Sequence, residues 1–222
     1  MERMQTIQFE GKAGRIDCAM DWPEAHQTIR GWVLLLHPHP LHGGARNNKV
    51  ITTMSRAATA QGLVVVRPDF RGVGVSAGSF DQGHGETLDM YELVLQFQAQ
   101  FPDIAQHAFL LGGFSFGTSV AAQLYSLLKQ AGQTPPQHLV LAGCAVKRFM
   151  FLDTVEVPEY TYLVHGADDE VVPIDEAMTF AQAHDLAVTV IPEAGHFFHG
   201  KLILLRELVA AQWQLGLLRG DS

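Results

Sequence analysis

Six short apolar runs, rich in Val, Ile and Leu, constrain the fold of this chain more than any other feature. They lie at 32–37, 63–68, 107–113, 138–143, 161–166 and 186–192. Runs that are apolar throughout are typical of strands buried on both faces, as in a parallel sheet covered by helices. Two segments near the start, TIQFE and RIDCAM, alternate more clearly and predict an antiparallel hairpin at one edge. We therefore expect about eight strands.

Stretches with apolar residues at three- and four-residue spacing separate these runs and predict helices that pack on the sheet. They span 47–62, 85–101, 115–132, 174–184 and 197–217. Gly62 and Gly132 stand where helices are expected to stop. The alternation predicts an α/β fold with a mostly parallel sheet and helices on both faces. No repeat or linker interrupts it, so one domain is expected to cover residues 1–222.

Composition narrows the functional classes. The chain has 15 Lys and Arg against 23 Asp and Glu, and its net charge of −8 argues against a nucleic-acid partner. It has neither an apolar run long enough for a membrane span nor an N-terminus typical of a secretory signal, so we expect a cytoplasmic protein without a membrane partner. Cys18 and Cys144 form no CxxC pattern and are expected to be reduced thiols.

The sequence LLGGFSFGTSVAAQL carries the clearest chemical signal. A predicted buried strand runs into Gly113, Ser115 and Gly117, in the spacing GxSxG, and straight on into a predicted helix. Such a sharp turn needs small residues on both sides and exposes the central side chain at the end of the strand. A serine that only caps the helix is the alternative. The strand before and the helix after favour a nucleophile.

A serine nucleophile needs a base within hydrogen-bonding distance and a carboxylate that orients the base. Asp168 and Asp169 follow one apolar run in TYLVHGADDEVVP, and His196 follows the next in VTVIPEAGHFFHG. Both positions are at carboxyl ends of predicted strands, where open α/β sheets bind ligands. His199 is an alternative base, and a polar turn before Pro173 is the alternative role for either Asp.

These motifs resemble those of the α/β-hydrolase superfamily, in which GxxDxxVP after the seventh strand supplies the acid and a GH turn after the eighth supplies the base. Counting from Gly166 selects Asp169 rather than Asp168. The resemblance covers nearly the whole chain and is strongest to the small capless group that includes dienelactone hydrolases and compact carboxylesterases. Dienelactone hydrolases carry a cysteine where this chain has Ser115, which favours an ester or thioester substrate.

The resemblance also implies an oxyanion hole, formed by the N–H after the nucleophile and by one from the loop after the third strand. Phe116 supplies the first N–H. In LLLHPHPLHGG, Pro38 and Pro40 have no N–H, which leaves His39 and Leu41. His39 lies where relatives with a histidine-glycine turn carry their donor, and it is the predicted second donor.

Two further motifs are predicted to have structural rather than catalytic roles. Three histidines of the same loop suggest a metal site, but no carboxylate or thiolate accompanies them, and neither a metal nor a cofactor is expected; they are His37, His39 and His42. The segment PDFRGVGVSAG resembles the superfamily's DxRGxGxS turn. Its polar side chains are expected to hold the loop together; they are Asp69, Arg71 and Ser76.

The sequence thus predicts a serine hydrolase that cleaves small carboxylic esters or thioesters through an acyl-enzyme. Residues 144–159 are too few for the helical lid that many relatives insert, so the site is expected to be open to a small acyl substrate. Five phenylalanines are candidates either for an acyl-binding patch or for the core: Phe114, Phe116, Phe149, Phe151 and Phe197. The alternatives are a peptidase or amidase of the same fold and a non-enzymatic binding protein. The oligomeric state, monomer or homodimer, stays open.

Overall fold

The computed structural model describes residues 4–220, which contain one eight-stranded sheet. Its strands are β1 (Met4–Gly11), β2 (Gly14–Asp21), β3 (Gly31–Leu36), β4 (Leu63–Pro68), β5 (Ala108–Phe114), β6 (His138–Ala142), β7 (Tyr162–Gly166) and β8 (Val188–Ile191). Strands β1 and β2 form an antiparallel hairpin, and β2 pairs antiparallel with β4. All pairings from β3 to β8 are parallel. The predicted fold class and the edge hairpin are confirmed.

Six α-helices lie beside the sheet in residues 4–220. They are α1 (Lys49–Thr59), α2 (His84–Gln100), α3 (Pro102–Ala105), α4 (Phe116–Gln130), α5 (Ile174–Ala183) and α6 (Leu202–Gly220). The short α3 was not predicted, because a single turn that begins at a proline leaves no periodic pattern. Among residues 4–220, no helix combines the length and the apolar character that a bilayer crossing requires.

The predicted start of the last helix at 197 is wrong. Helix α6 begins at Leu202, and two tight turns precede it. Phe198 and Gly200 both have positive φ angles, 52° and 73°, which a right-handed helix excludes. Phe198 is nevertheless fully buried, so the apolar signal that suggested a helix comes from a residue that anchors a turn in the core.

The sheet buries apolar side chains on both faces, as the continuous runs predicted. On β3, Trp32 and Leu34 belong to the core under α2, α4 and α5. Val33 and Leu35 belong to the opposite core under α1 and α6. Since successive side chains of a strand point to opposite faces, each apolar run supplies both cores at once.

The strand order β1-β2-β4-β3-β5-β6-β7-β8 places a reversal of chain direction at β3. From β3 the chain moves outward to β4 and then returns to β5 on the other side of β3. Open α/β sheets bind ligands at such a switch point, outside the carboxyl ends of the strands. The loop after β3, residues 37–44, and the turn after β5, which contains Ser115, meet there. A ligand site is therefore expected between them.

Residues 143–161, here called the β6–β7 segment, are held against α4. Polar side chains of α4 form hydrogen bonds with the backbone of this segment; they are Thr118, Ser119, Gln123 and Ser126. For example, the Phe151 N–H donates to Gln123 Oε1 at 2.7 Å. The segment contains one short turn of 3₁₀ helix at Val146–Arg148 and no α-helix. The predicted absence of a lid is confirmed.

Two buried histidines make folding sensitive to mild acid. Burial lowers the pKa of His37 and of His138 to about 4, with Arg219 adding to the effect at His138. In the unfolded chain both titrate at their ordinary value, about 6.5. The unfolded state therefore takes up these protons first, and the free energy of unfolding decreases as the pH falls from about 6.5 toward 4.

We expect the free energy of unfolding, measured in urea, to be about 4 kcal/mol lower at pH 5 than at pH 7 from these two histidines. His138→Gln should remove about half of this difference. His26→Gln is the control, because the His26 side chain is 78% exposed, and it should leave the difference unchanged. Equal pH dependence in the His138 variant and the parent protein would contradict this account.

Candidate active site

Ser115 lies in the turn between β5 and α4, in a strained backbone conformation with φ 54° and ψ −120°. Neighbouring glycines make this turn possible. A Cβ on Gly113 would lie 2.3 Å from the carbonyl oxygen of Gly117, and a Cβ on Gly117 would lie 2.1 Å from that of Leu36. Any side chain at either position would collide with backbone, so the GxSxG spacing serves both the turn and the close packing of α4 on the end of β3.

His196 follows β8 and connects Ser115 to Asp169. Its Nε2 is 2.9 Å from Ser115 Oγ, and its Nδ1 is 2.7 Å from Asp169 Oδ2. A carboxylate only accepts hydrogen bonds, so Nδ1 carries the ring proton and Nε2 accepts from the serine hydroxyl. The side chains are largely buried, which strengthens these hydrogen bonds relative to water.

Asp169 is held by the turn that follows β7. Its Oδ1 accepts from the N–H groups of Val171 and Val172 at 2.9 and 2.8 Å. Burial alone would raise the pKa of the carboxyl, but the hydrogen bonds from His196 and Val172 and the nearby imidazoles outweigh burial and hold the pKa below its ordinary value. The carboxyl is therefore ionised at neutral pH.

The structure also decides between the two candidate acids and the two candidate bases that the sequence offers. Asp168 is exposed, and its N–H donates to the carbonyl oxygen of Ala194. His199 is exposed and lies in the turn before α6. Asp169 and His196 are thus the acid and the histidine that the structure brings to Ser115.

The candidate oxyanion donors are placed by α4 and by the loop after β3. Phe116 is the first residue of α4, so its N–H has no acceptor within the helix. The His39 N–H has no hydrogen-bond acceptor within residues 4–220. The Leu41 N–H, by contrast, donates to His39 Nδ1 at 3.2 Å. This arrangement favours His39 over Leu41 as the second donor.

The histidines of this loop serve its structure. The His37 ring uses both nitrogens, since Nδ1 is 2.7 Å from the carbonyl oxygen of Pro38 and Nε2 accepts from the Phe70 N–H at 3.0 Å. The His39 ring stacks on His42 with a centroid distance of 4.4 Å. In the described part of the chain, no group of three or more His, Cys, Asp or Glu side chains is arranged to hold a metal ion.

Buried charges anchor the same loop to the hairpin and to the turn after β4. The Arg46 N–H donates to Asp69 Oδ1 at 2.8 Å, and Arg46 Nη1 is 2.7 Å from Asp17 Oδ2. Ser76 Oγ donates to the carbonyl oxygen of Asp69, and Arg71 Nε donates to Asp89. The DxRGxGxS side chains are therefore bound within the protein, as expected.

The five phenylalanines do not form one patch. Phe114 and Phe116 are fully buried, in the two different cores. Phe197 is 43% exposed and stands beside the His196 ring. Phe149 and Phe151 are half-buried in the β6–β7 segment. Two aromatic surfaces therefore flank the site, one beside His196 and one beside His39, which packs against Phe149 and Phe80.

His165, the last residue but one of β7, was not predicted as a site residue. Its Nε2 lies 3.3 Å from Asp169 Oδ2, and its side chain is 1% exposed. The signal was present in the sequence, because His165 directly precedes the Gly166 from which the acid was counted. A histidine on a buried strand is more often explained by packing, so the pattern alone did not separate the two roles.

The chain is similar to known proteins over nearly its whole length, although no family model matches it. An uncharacterized protein of Rickettsia prowazekii is 31% identical over 209 residues, which are 89% of this chain and 84% of that protein. A solved α/β serine hydrolase without a lid, from Xanthomonas campestris, is 32% identical with a TM-score of 0.85, over 99% of this chain and 95% of that chain. An α/β serine hydrolase homologue from Coxiella burnetii is 33% identical with a TM-score of 0.80, over 93% and 96%.

This chain belongs to the α/β serine hydrolases. It is similar to a member without a lid, in agreement with the short β6–β7 segment. Membership supports a hydrolase activity in general.

Proposed function

We propose that this protein hydrolyses small carboxylic esters or thioesters, with Ser115 as nucleophile, His196 as general base and Asp169 as the residue that orients His196. The observation that carries the proposal is the continuous hydrogen-bond chain from Asp169 through His196 to Ser115 Oγ. It stands at the carboxyl edge of the sheet, on a strained turn that presents the hydroxyl.

The chemistry follows from these contacts. His196 Nε2 takes the proton of Ser115 as Oγ attacks the acyl carbon, and returns it to the leaving alkoxide or thiolate. Water then attacks the acyl-enzyme, with His196 again as base. The buried Asp169 carboxylate stabilises the imidazolium that forms in each step. No cofactor takes part.

Negative charge that develops on the acyl oxygen needs fixed donors. The N–H groups of Phe116 and His39 are proposed for this role, since neither has an acceptor elsewhere in the described residues. Burial and the neighbouring His42 lower the pKa of the His39 side chain. The lowered pKa favours the neutral form of the His39 ring at neutral pH, so His39 contributes its backbone N–H rather than a positive charge.

The shape of the surroundings supports a small or protruding acyl group. The β6–β7 segment is fixed to α4 and does not cover Ser115 with a helix. Aromatic side chains flank the site, on one side Phe197 and on the other Phe149. A site without a helical cover gives little enclosure for a long acyl chain.

A substrate panel tests the proposal. We expect turnover of p-nitrophenyl acetate and butyrate, and of a short acyl thioester, with kcat/KM at least about 100-fold above that for p-nitrophenyl palmitate or an aminoacyl p-nitroanilide. His199→Ala is a matched control for an imidazole near the site and should leave these rates unchanged. Preferential cleavage of the anilide would contradict an esterase and support the peptidase alternative.

A further inference from the structure

We infer that His165 is a positioning residue that holds the carboxylate of Asp169 toward His196; this inference rests on the proposed function. His165 lies on β7, which is paired on both sides, with β6 and with β8. Asp169 lies in the turn that follows β7 and ends at Val172. The side chains of His165 and His196 both approach Asp169 Oδ2, which is 3.3 Å from His165 Nε2 and 2.7 Å from His196 Nδ1.

The contacts of His165 define its protonation. Its Nε2 lies 2.8 Å from the carbonyl oxygen of Val172. A carbonyl only accepts, so Nε2 carries a proton. That N–H donates to the Val172 carbonyl oxygen at the end of the turn, and the same nitrogen lies 3.3 Å from Asp169 Oδ2, close enough for its partial positive charge to attract the carboxylate. His165 thereby ties the turn to the rigid strand on which it stands.

Packing alone does not account for a histidine at this position. Its Nδ1 is buried and has no hydrogen-bond partner among the described residues. Leaving a buried acceptor without a partner costs free energy, and an apolar ring of similar size would avoid that cost. What the imidazole adds over such a ring is the donor at Nε2.

The turn that His165 holds through the Val172 carbonyl is the same turn that fixes the Asp169 carboxylate. Oδ1 accepts from the N–H groups of Val171 and Val172, Oδ2 accepts from His196 Nδ1 at 2.7 Å, and His165 Nε2 lies 3.3 Å from the same oxygen. Without the His165 donor, the Val172 carbonyl oxygen loses its partner, the turn that fixes Asp169 is held less firmly, and the orientation of His196 toward Ser115 loosens. Small displacements of a catalytic group lower the rate of the chemical step more than they lower substrate binding.

The test compares His165→Gln, whose side-chain amide nitrogen reaches the position of Nε2, with His165→Phe, which keeps a ring and has no donor. We expect His165→Phe to lower kcat for a short p-nitrophenyl ester by about 10- to 100-fold with KM within about 2-fold. His165→Gln should retain kcat within about 3-fold. If the Phe variant does not fold, His165→Asn replaces it, because its amide reaches only the position of Nδ1.

A double-mutant cycle with Asp169→Asn separates positioning from a general structural effect. If His165 acts through Asp169, then His165→Phe causes no further loss of kcat when Asp169→Asn is already present. An equal loss in both backgrounds, or equal activities of the Phe and Gln variants, would overturn the inference.

Labelling by a fluorophosphonate keeps this inference distinct from the proposed function. A parent protein that is not labelled at Ser115 contradicts both. A parent protein that is labelled, together with an equally rapid rate for folded His165→Phe, contradicts only the role of His165. A labelling rate that falls in His165→Phe and is retained in His165→Gln supports it.

Discussion

Replacing Ser115 with Ala is expected to lower kcat for a short p-nitrophenyl ester by about 10⁴-fold or more. The substitution removes only Oγ, the atom that His196 Nε2 contacts at 2.9 Å. Without it no acyl-enzyme can form. The measurement is initial-rate kinetics on purified protein.

The free energy of unfolding of Ser115→Ala serves as the control, because it shows whether the loss of activity comes from loss of structure. The backbone of residue 115 keeps its strained φ and ψ, since they are imposed by β5 and α4 rather than by the hydroxyl. The free energy of unfolding of Ser115→Ala should therefore stay within about 1 kcal/mol of the parent value. A folded Ser115→Ala protein that turns over the ester at a comparable rate would exclude Ser115 as nucleophile.

Asp169→Asn is also expected to cause a large loss, about 10⁴-fold in kcat. The Asp169 carboxylate accepts from His196 Nδ1 and thereby leaves Nε2 free to take the serine proton. An amide presents a donor as well as an acceptor, so the histidine can adopt the other tautomer, with the proton on Nε2. In that form it cannot act as a base toward Ser115.

The neighbouring residue offers a matched control. Asp168→Asn makes the same chemical change one position earlier, on an exposed side chain. Its kcat should equal that of the parent protein. If the Asp168 variant lost activity and the Asp169 variant kept it, the assignment of the acid would be reversed.

Much of the fold was predictable from local pattern, because strands buried on both faces must be apolar throughout. The run at 63–68, for example, is β4 at the same bounds. Errors arose where an apolar residue serves a turn. Phe198 continues the apolar periodicity of α6 in the sequence. In the structure it has a positive φ and is fully buried, and it lies in the turn that contains His196.

The chain order of Ser115, Asp169 and His196 was also predictable, because each follows a strand at the same edge of the sheet. Contacts that depend on tertiary packing were not. The hydrogen bonds of Ser119 and Gln123 to the β6–β7 segment join residues 26 to 29 positions apart. Likewise, the approach of His165 to Asp169 depends on how the turn after β7 closes, which no periodicity encodes.

The most direct test of the central claim is labelling of the parent protein with a fluorophosphonate, followed by mass spectrometry of its peptides. We expect one adduct per chain, on Ser115, and none on Ser115→Ala. The rate of labelling should fall steeply in Asp169→Asn and remain unchanged in Asp168→Asn. Absence of an adduct, or an adduct on a different serine, would contradict the account.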